Sequence, residues 1–270
     1  MVERPVKTPG RAKGDGLKSR KKVISKKRRY GWIPDVPDRR DLLYRAPRPR
    51  RLRLPPSVDL RRFCPPVENQ GSLGSCTANA LAGNIEFLDE KDGSGYTDVS
   101  RLFIYYNERV IEHSVSFDAG AMLRDGIKSL SKQGVCSEAT WPYDVQKFAV
   151  KPAPPCYREA RQHVIQSYFR ILTIGDMLTC LSDGFPFVFG FAVYEGFEGR
   201  QVAETGVVSM PSKDERQLGG HAVLAVGFDQ SSRRFIVRNS WGTGWGMSGY
   251  FTMPFEYLET LADDFWTIRK

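Results

Sequence analysis

Histidine is scarce in this chain, with three in 270 residues, and cysteine is limited to five. His113 and His163 stand at no metal-ligand spacing from each other or from a cysteine, so neither a metal nor a cofactor is expected, and both read as structural or surface residues. No run of 18 apolar residues offers a transmembrane helix. The first 53 residues lack the apolar core of a secretory signal, so a cytoplasmic location is the default expectation, with export by another route or delivery into another cell left open. In that compartment thiols stay reduced. If Cys64, Cys136, Cys156 and Cys180 were oxidised they would allow three pairings, and the sequence does not choose among them. Internal repeats are also absent.

Acidic residues are few at the start. Residues 1–53 hold 19 Lys and Arg against 5 Asp and Glu, a net of +14, whereas residues 54–270 hold 21 against 26, a net of −5. The overall charge of +9 therefore belongs to the tail. The run from Lys18 to Arg29 reads as a solvated, disordered extension, with an anionic surface, nucleic acid or the acidic body itself as candidate partners. Residues 30–44 differ in kind. Trp32, Ile33, Leu42, Leu43 and Tyr44 on a Pro-containing stretch are more apolar surface than a free tail would expose, so this segment is expected to dock on the body. Two readings compete: a strap on the back of the fold, or a short pro-segment that occupies a cleft. Arg45 to Pro56 reads as an exposed linker whose cutting would release such a block.

The body, residues 54–270, is long enough for two small subdomains sharing a cleft. Its informative stretch is Gln70-Gly-Ser-Leu-Gly-Ser-Cys76. Gly71 to Gly74 reads as a turn, Ser75 as an N-cap, and Ala78, Leu81, Ala82, Ile85 and Leu88 recur at the spacing of an amphipathic helix. Cys76 then lies in the first helical turn, where unpaired N–H groups and the positive end of the helix dipole favour a thiolate. His221 in Gly-Gly-His-Ala is a candidate imidazolium partner and proton donor. Asn239 in Asn-Ser-Trp-Gly can accept the second ring N–H without adding charge. The Gln70 amide and the Cys76 backbone N–H are candidate donors to an oxyanion. These are the parts needed for thiolate attack on an amide.

Together these blocks resemble the papain-like cysteine peptidases, and look most like their compact bacterial and archaeal branch. The resemblance runs from Leu54 to the C-terminus through Pro66-Val-Glu-Asn-Gln70, Gly74-Ser-Cys76, Gly219 to Gly227, Asn239 to Gly246 and Gly249-Tyr-Phe. His221 lies 145 residues beyond Cys76 and Asn239 lies 163 beyond it; the second interval requires a modest insertion in the second half. Leu73, Thr77 and Gly220 depart from relatives that carry a disulfide cysteine, an aromatic residue and an aspartate at these places. The long helical pro-segment of many relatives is missing.

The resemblance implies a catalytic set of Gln70, Cys76, His221 and Asn239. Gly74, Gly120 and Ala121 would hold substrate backbone, with Gly220 beside the histidine. Met122 would line an apolar pocket with Asp263 or Asp264 near its floor. Trp241 would shield the His–Asn bond, and Trp245 would line the leaving-group side. It also implies an acyl-enzyme endopeptidase acting on peptides or proteins, the alternatives being a peptide-binding protein with little catalysis or a related aminopeptidase or transpeptidase. The periodicity fits that fold class. Helices are predicted from Cys76, over about 100–112 and over about 120–133 closed by Gly134. Strands are predicted over 164–172, 185–194, 221–228, 235–239 and 250–253. Helices first and strands second mean α+β, with a helical half and an antiparallel β-rich half flanking the cleft.

Overall fold

The structure, a computed structural model, describes residues 1–2, 30–45 and 54–270. The basic run ending at Arg29 and linker residues 46–53 lie outside the described residues. In chain order the elements are β1 (Ser57–Asp59), α1 (Cys76–Asp92), α2 (Arg101–Ile111), α3 (Leu123–Gln133), α4 (Pro154–Ala160), β2 (Ser167–Arg170), α5 (Ile174–Ser182), β3 (Phe187–Tyr194), α6 (Arg200–Thr205), β4 (Gln217–Asp229), β5 (Arg234–Arg238), β6 (Tyr250–Pro254), α7 (Phe255–Thr260) and β7 (Ala262–Arg269). This is the expected α+β arrangement, with three helices packed together ahead of an antiparallel sheet.

The amphipathic expectation for α1 does not hold. Every residue from Cys76 to Asp89 is buried, because α1 is wedged between β4 on one side and α2 and α3 on the other. Its polar members need internal partners; Glu86, for example, accepts from Val99 N at 3.1 Å, and burial pushes its carboxyl up to about 8. The α2 boundaries agree with the reading from sequence, Ser100 capping by accepting from Phe103 N at 3.1 Å. Helix α3 starts later than predicted, with Met122 at its N-cap, because Gly120 has a left-handed φ of +81, Ala121 is bonded to Gly31 and Ile33, and Met122 is extended.

The sheet runs β2-β7-β3-β4-β5-β6, all antiparallel, and β1 pairs with the far end of β4 at Gly227 to Asp229. Four strands lie within a few residues of their predicted places, and β2 is the core of the longer run predicted there. Strand β7 was not legible: it opens on Ala-Asp-Asp, residues that disfavour strands, and is held between β2 and β3 by pairing. The core is continuous from the α1 side to the sheet, with Phe187, Phe189, Phe191, Phe235 and Phe251 fully buried.

Segment 30–44 lies against the body in two places. Its second half lies along the β2 edge, where Arg170 N donates to Leu42 O and Tyr44 N donates to Arg170 O, both at 2.8 Å. Its first half lies between the helical half and β4, bonded to Ala121 on one side and Gly220 on the other.

Candidate active site

Cys76 opens α1 and is fully buried. Ser75 stands at the N-cap position, but its side chain makes no capping bond; its hydroxyl instead pairs with Tyr143 Oη at 2.5 Å and accepts from Asn79 Nδ2 at 3.1 Å. The first-turn N–H groups are thus not consumed by that cap. Across the cleft, His221 sits within β4, opposite Phe191. The backbone N–H of Ala222 is among the groups that favour the thiolate of Cys76, which puts the thiol beside the His221–Ala222 stretch.

His221 Nε2 is 2.8 Å from Asn239 Oδ1, which also accepts from Ser240 N at 2.8 Å. Trp241 stacks on the imidazole at 5.0 Å and 26°, covering the side of this pair. Trp245 does not line the cleft as expected. It is buried behind Trp241, edge-on at 5.0 Å, against Phe197 and Phe251.

Gln70 is pinned from both ends. Its Oε1 accepts from Ser240 Oγ at 2.6 Å, its Nε2 donates to Leu73 O at 2.9 Å, and its backbone N donates to Ser240 O at 2.9 Å. One of the two amide N–H bonds is committed to Leu73, which leaves the second for a ligand. Ser240, which ties Gln70 to the Asn239 turn, is a site residue that the sequence reading missed, although it lies inside the Asn-Ser-Trp block.

The expected substrate-binding residues mostly meet at one place, around Tyr30 to Ile33 of the same chain. Trp32 N donates to Gly220 O at 3.0 Å, Ile33 N to Ala121 O at 3.0 Å, and Ala121 N to Gly31 O at 2.7 Å. Gly31 passes so close to Gly74 that a Cβ on it would stand 1.7 Å from the Gly74 carbonyl oxygen. Gly120, at φ +81, is equally constrained, since a Cβ there would stand 2.2 Å from Gly31 O. Met122 is half-buried at the head of α3, its N–H donating to Glu112 Oε1 at 2.7 Å.

The Trp32 ring lies over Gly190 and Gly220, and its Nε1 donates to Asp264 Oδ2 at 3.1 Å. Asp264, not Asp263, is the aspartate that meets the Trp32 ring. The same oxygen accepts from Asp35 N at 2.8 Å, while Asp35 accepts from Trp266 Nε1 at 2.8 Å and from Arg124 N at 3.1 Å. Arg124 and Arg170 then bridge to Asp41 at 2.6 and 3.3 Å, and Arg170 reaches Asp264 at 3.2 Å.

Burial pushes the Cys76 thiol up to about 11, although backbone N–H groups of Ala222, Gly31 and Thr77 act in the opposite direction. All five cysteines are free thiols, and the described residues contain no group of three potential metal ligands. No helix among the described residues is long and apolar enough to cross a membrane.

Residues 54–257 match the papain family cysteine protease profile. The chain belongs to the papain family of cysteine proteases. This papain-family chain is 43% identical over 271 residues to an uncharacterized peptidase C1-like protein of Acanthamoeba polyphaga mimivirus, spanning 90% of this chain and 87% of that one. It is 28% identical to pro-cathepsin H of Bos taurus over 73% of its own length, but spans only 59% of that precursor. Among solved structures, xylellain, a cysteine protease from Xylella fastidiosa, superposes with a TM-score of 0.84 at 44% identity, covering 92% of this chain and 99% of xylellain.

Proposed function

We propose that this papain-family protease is an endopeptidase made in a latent form, with residues 30–33 acting as a reversed occupant of its own cleft. The observation that carries this reading is the orientation of Gly31. Its carbonyl oxygen is held by Ala121 N at 2.7 Å, and the next residue, Trp32, pairs in parallel with Ala121 and donates its N–H to Gly220 O at 3.0 Å. With its carbonyl oxygen committed to Ala121 N, Gly31 is not presented for attack, which favours a segment that fills the site without being cut. Similarity to the Xylella fastidiosa and mimivirus proteins, together with Leu73 and Thr77 beside the thiol, supports placing it with the compact branch of the family.

With the segment displaced, the roles follow from the chemistry of each group. Since His221 Nε2 is turned to Asn239, Nδ1 is the nitrogen that takes the Cys76 proton. The resulting thiolate attacks the substrate carbonyl, and the negative oxygen is bound by the Cys76 N–H and the second N–H of Gln70. The imidazolium returns its proton to the leaving amine as the thioester forms. Water, activated by the same imidazole, then releases the acid and restores the thiol.

The test profiles a peptide library with wild type and Cys76→Ala, and compares the full chain with one beginning at Leu54. The reading expects Cys76-dependent internal cleavage, faster without residues 1–53, and inhibition by added 30–44 peptide. Removal of single N-terminal residues would instead make it an aminopeptidase, and binding without cleavage a peptide-binding protein. Equal turnover by the two chains, with no inhibition by the peptide, would reduce the segment to a strap.

A further inference from the structure

The buried segment also marks where the residue on the leaving side of a substrate would sit. Gly31 passes against Gly74, two residues before the thiol, and Trp32 lies on the Ala121–Gly220 side. Tyr30 therefore lies on the other side, where its ring packs against Gly219, edge-on to His221 at 6.2 Å and tilted to Trp241 at 6.4 Å. A leaving amine must be within proton-transfer reach of His221, so the first residue beyond the broken bond occupies the space that Tyr30 fills. This step rests on the reading of residues 30–33 as a cleft occupant. In that space the Tyr30 hydroxyl donates to the carboxylate of Glu198.

Glu198 ends the 3-10 turn Glu195–Glu198, between β3 and α6. The turn is fixed from below by Phe197, which is buried against Trp241 at 5.2 Å, Trp245 at 5.5 Å and Phe251 at 5.3 Å. The carboxylate is thus held at a set distance from the catalytic wall while itself remaining exposed. Among the described residues, Arg216 pairs with Glu195 at 2.7 Å and Arg200 with Glu204 at 2.6 Å. When Tyr30 leaves, Glu198 becomes an acceptor with a full negative charge facing the leaving-side residue.

We propose that Glu198 is a specificity-determining residue, selecting substrates whose first residue after the scissile bond carries a positive charge or a hydrogen-bond donor, with lysine, arginine and tyrosine favoured and glutamate rejected. An exposed carboxylate of this kind is worth a preference of about fivefold rather than an absolute requirement.

The experiment uses full-length chains in both the wild-type and the Trp32→Ala background, the latter weakening the segment's hold. Matched peptides differing only in lysine or glutamate after the scissile bond are compared by kcat/KM, and by Kd for chains that also carry Cys76→Ala. The expected lysine-to-glutamate preference is about fivefold with Glu198, absent with Glu198→Gln, and reversed with Glu198→Lys, in both rate and affinity. An unchanged preference in Glu198→Lys would overturn the proposal, and the affinity series tests it even without turnover. If the cleft-blocking reading alone fails, wild-type and Trp32→Ala backgrounds have equal rates, yet the Glu198 preferences still shift.

Discussion

Trp32 and Asp264 are joined by a hydrogen bond of 3.1 Å that ties residue 32 to the second strand from the sheet edge, 232 residues later in the chain. The bond fixes an indole in the pocket beside the thiol, and Asp35 N, on the same carboxylate oxygen, continues the anchoring along the segment. The expected behaviour of the chain follows from this contact and its neighbours.

Gly31→Ala should open the cleft more sharply than any change of charge. The added Cβ would stand 1.7 Å from a backbone oxygen, which cannot swing away as a side chain can. A clash of this type costs about 1–3 kcal/mol, or roughly five- to 150-fold in the closed-to-open ratio. Turnover of a short peptide by the full-length variant should rise by that factor. Trp32→Ala, losing about 2 kcal/mol of apolar contact, should give a rise of comparable size. Rates equal to wild type in both variants would count against blocking.

Cys76→Ala should abolish hydrolysis and labelling by a thiol-directed epoxide. In the intact chain, burial holds the thiol up to about 11, so alkylation by iodoacetamide should be slow at neutral pH and accelerate only at alkaline pH. In Gly31→Ala, the same cysteine should label readily near neutrality. Mass spectrometry of the labelled peptide distinguishes Cys76 from the other four thiols.

His221→Ala should be nearly as damaging as loss of the thiol, because the two exchange one proton and act as a unit. Gln70→Ala should cost about 10²–10³ in kcat, the usual size for one oxyanion donor. Asn239→Ala should leave a measurable residual rate. Wild-type kcat in Gln70→Ala would remove Gln70 from the oxyanion site.

Segment docking should weaken as pH rises. Burial raises the Asp264 carboxyl from its ordinary 3.8 to about 7, with Asp35 adding to the effect, and burial raises Asp35 as well; Arg170 and Arg124 pull the other way. A carboxyl whose pKa is raised in the docked state binds its proton more tightly there. Its contribution to docking is therefore complete below the undocked value and is lost as pH climbs through about 7. The ratio of wild-type to Gly31→Ala turnover, measured from about pH 5 to about pH 9, should rise with pH and lose most of this slope in Asp264→Asn.

The α+β class was readable in the sequence, and so were the candidates for the chemistry. Gln70, Cys76, His221 and Asn239 were legible because nucleophile, base, orienting amide and oxyanion donor each demand a particular side chain, and local motifs carry them. The helix at 101–111 and the strands at 187–194 and 250–254 were legible because period and capping are local properties. Tertiary structure decided the rest. Strand β7 begins with two aspartates that exist as strand only because β2 and β3 flank them. Ser240, Phe197 and Glu198 act through partners that no local pattern names. The places where residues 30–44 dock were also beyond the sequence, since they turn on whether Gly31 can pass against Gly74 and whether Asp264 faces Trp32 or solvent. These are distances between residues far apart in the chain, set by packing, and composition and period carry no record of them.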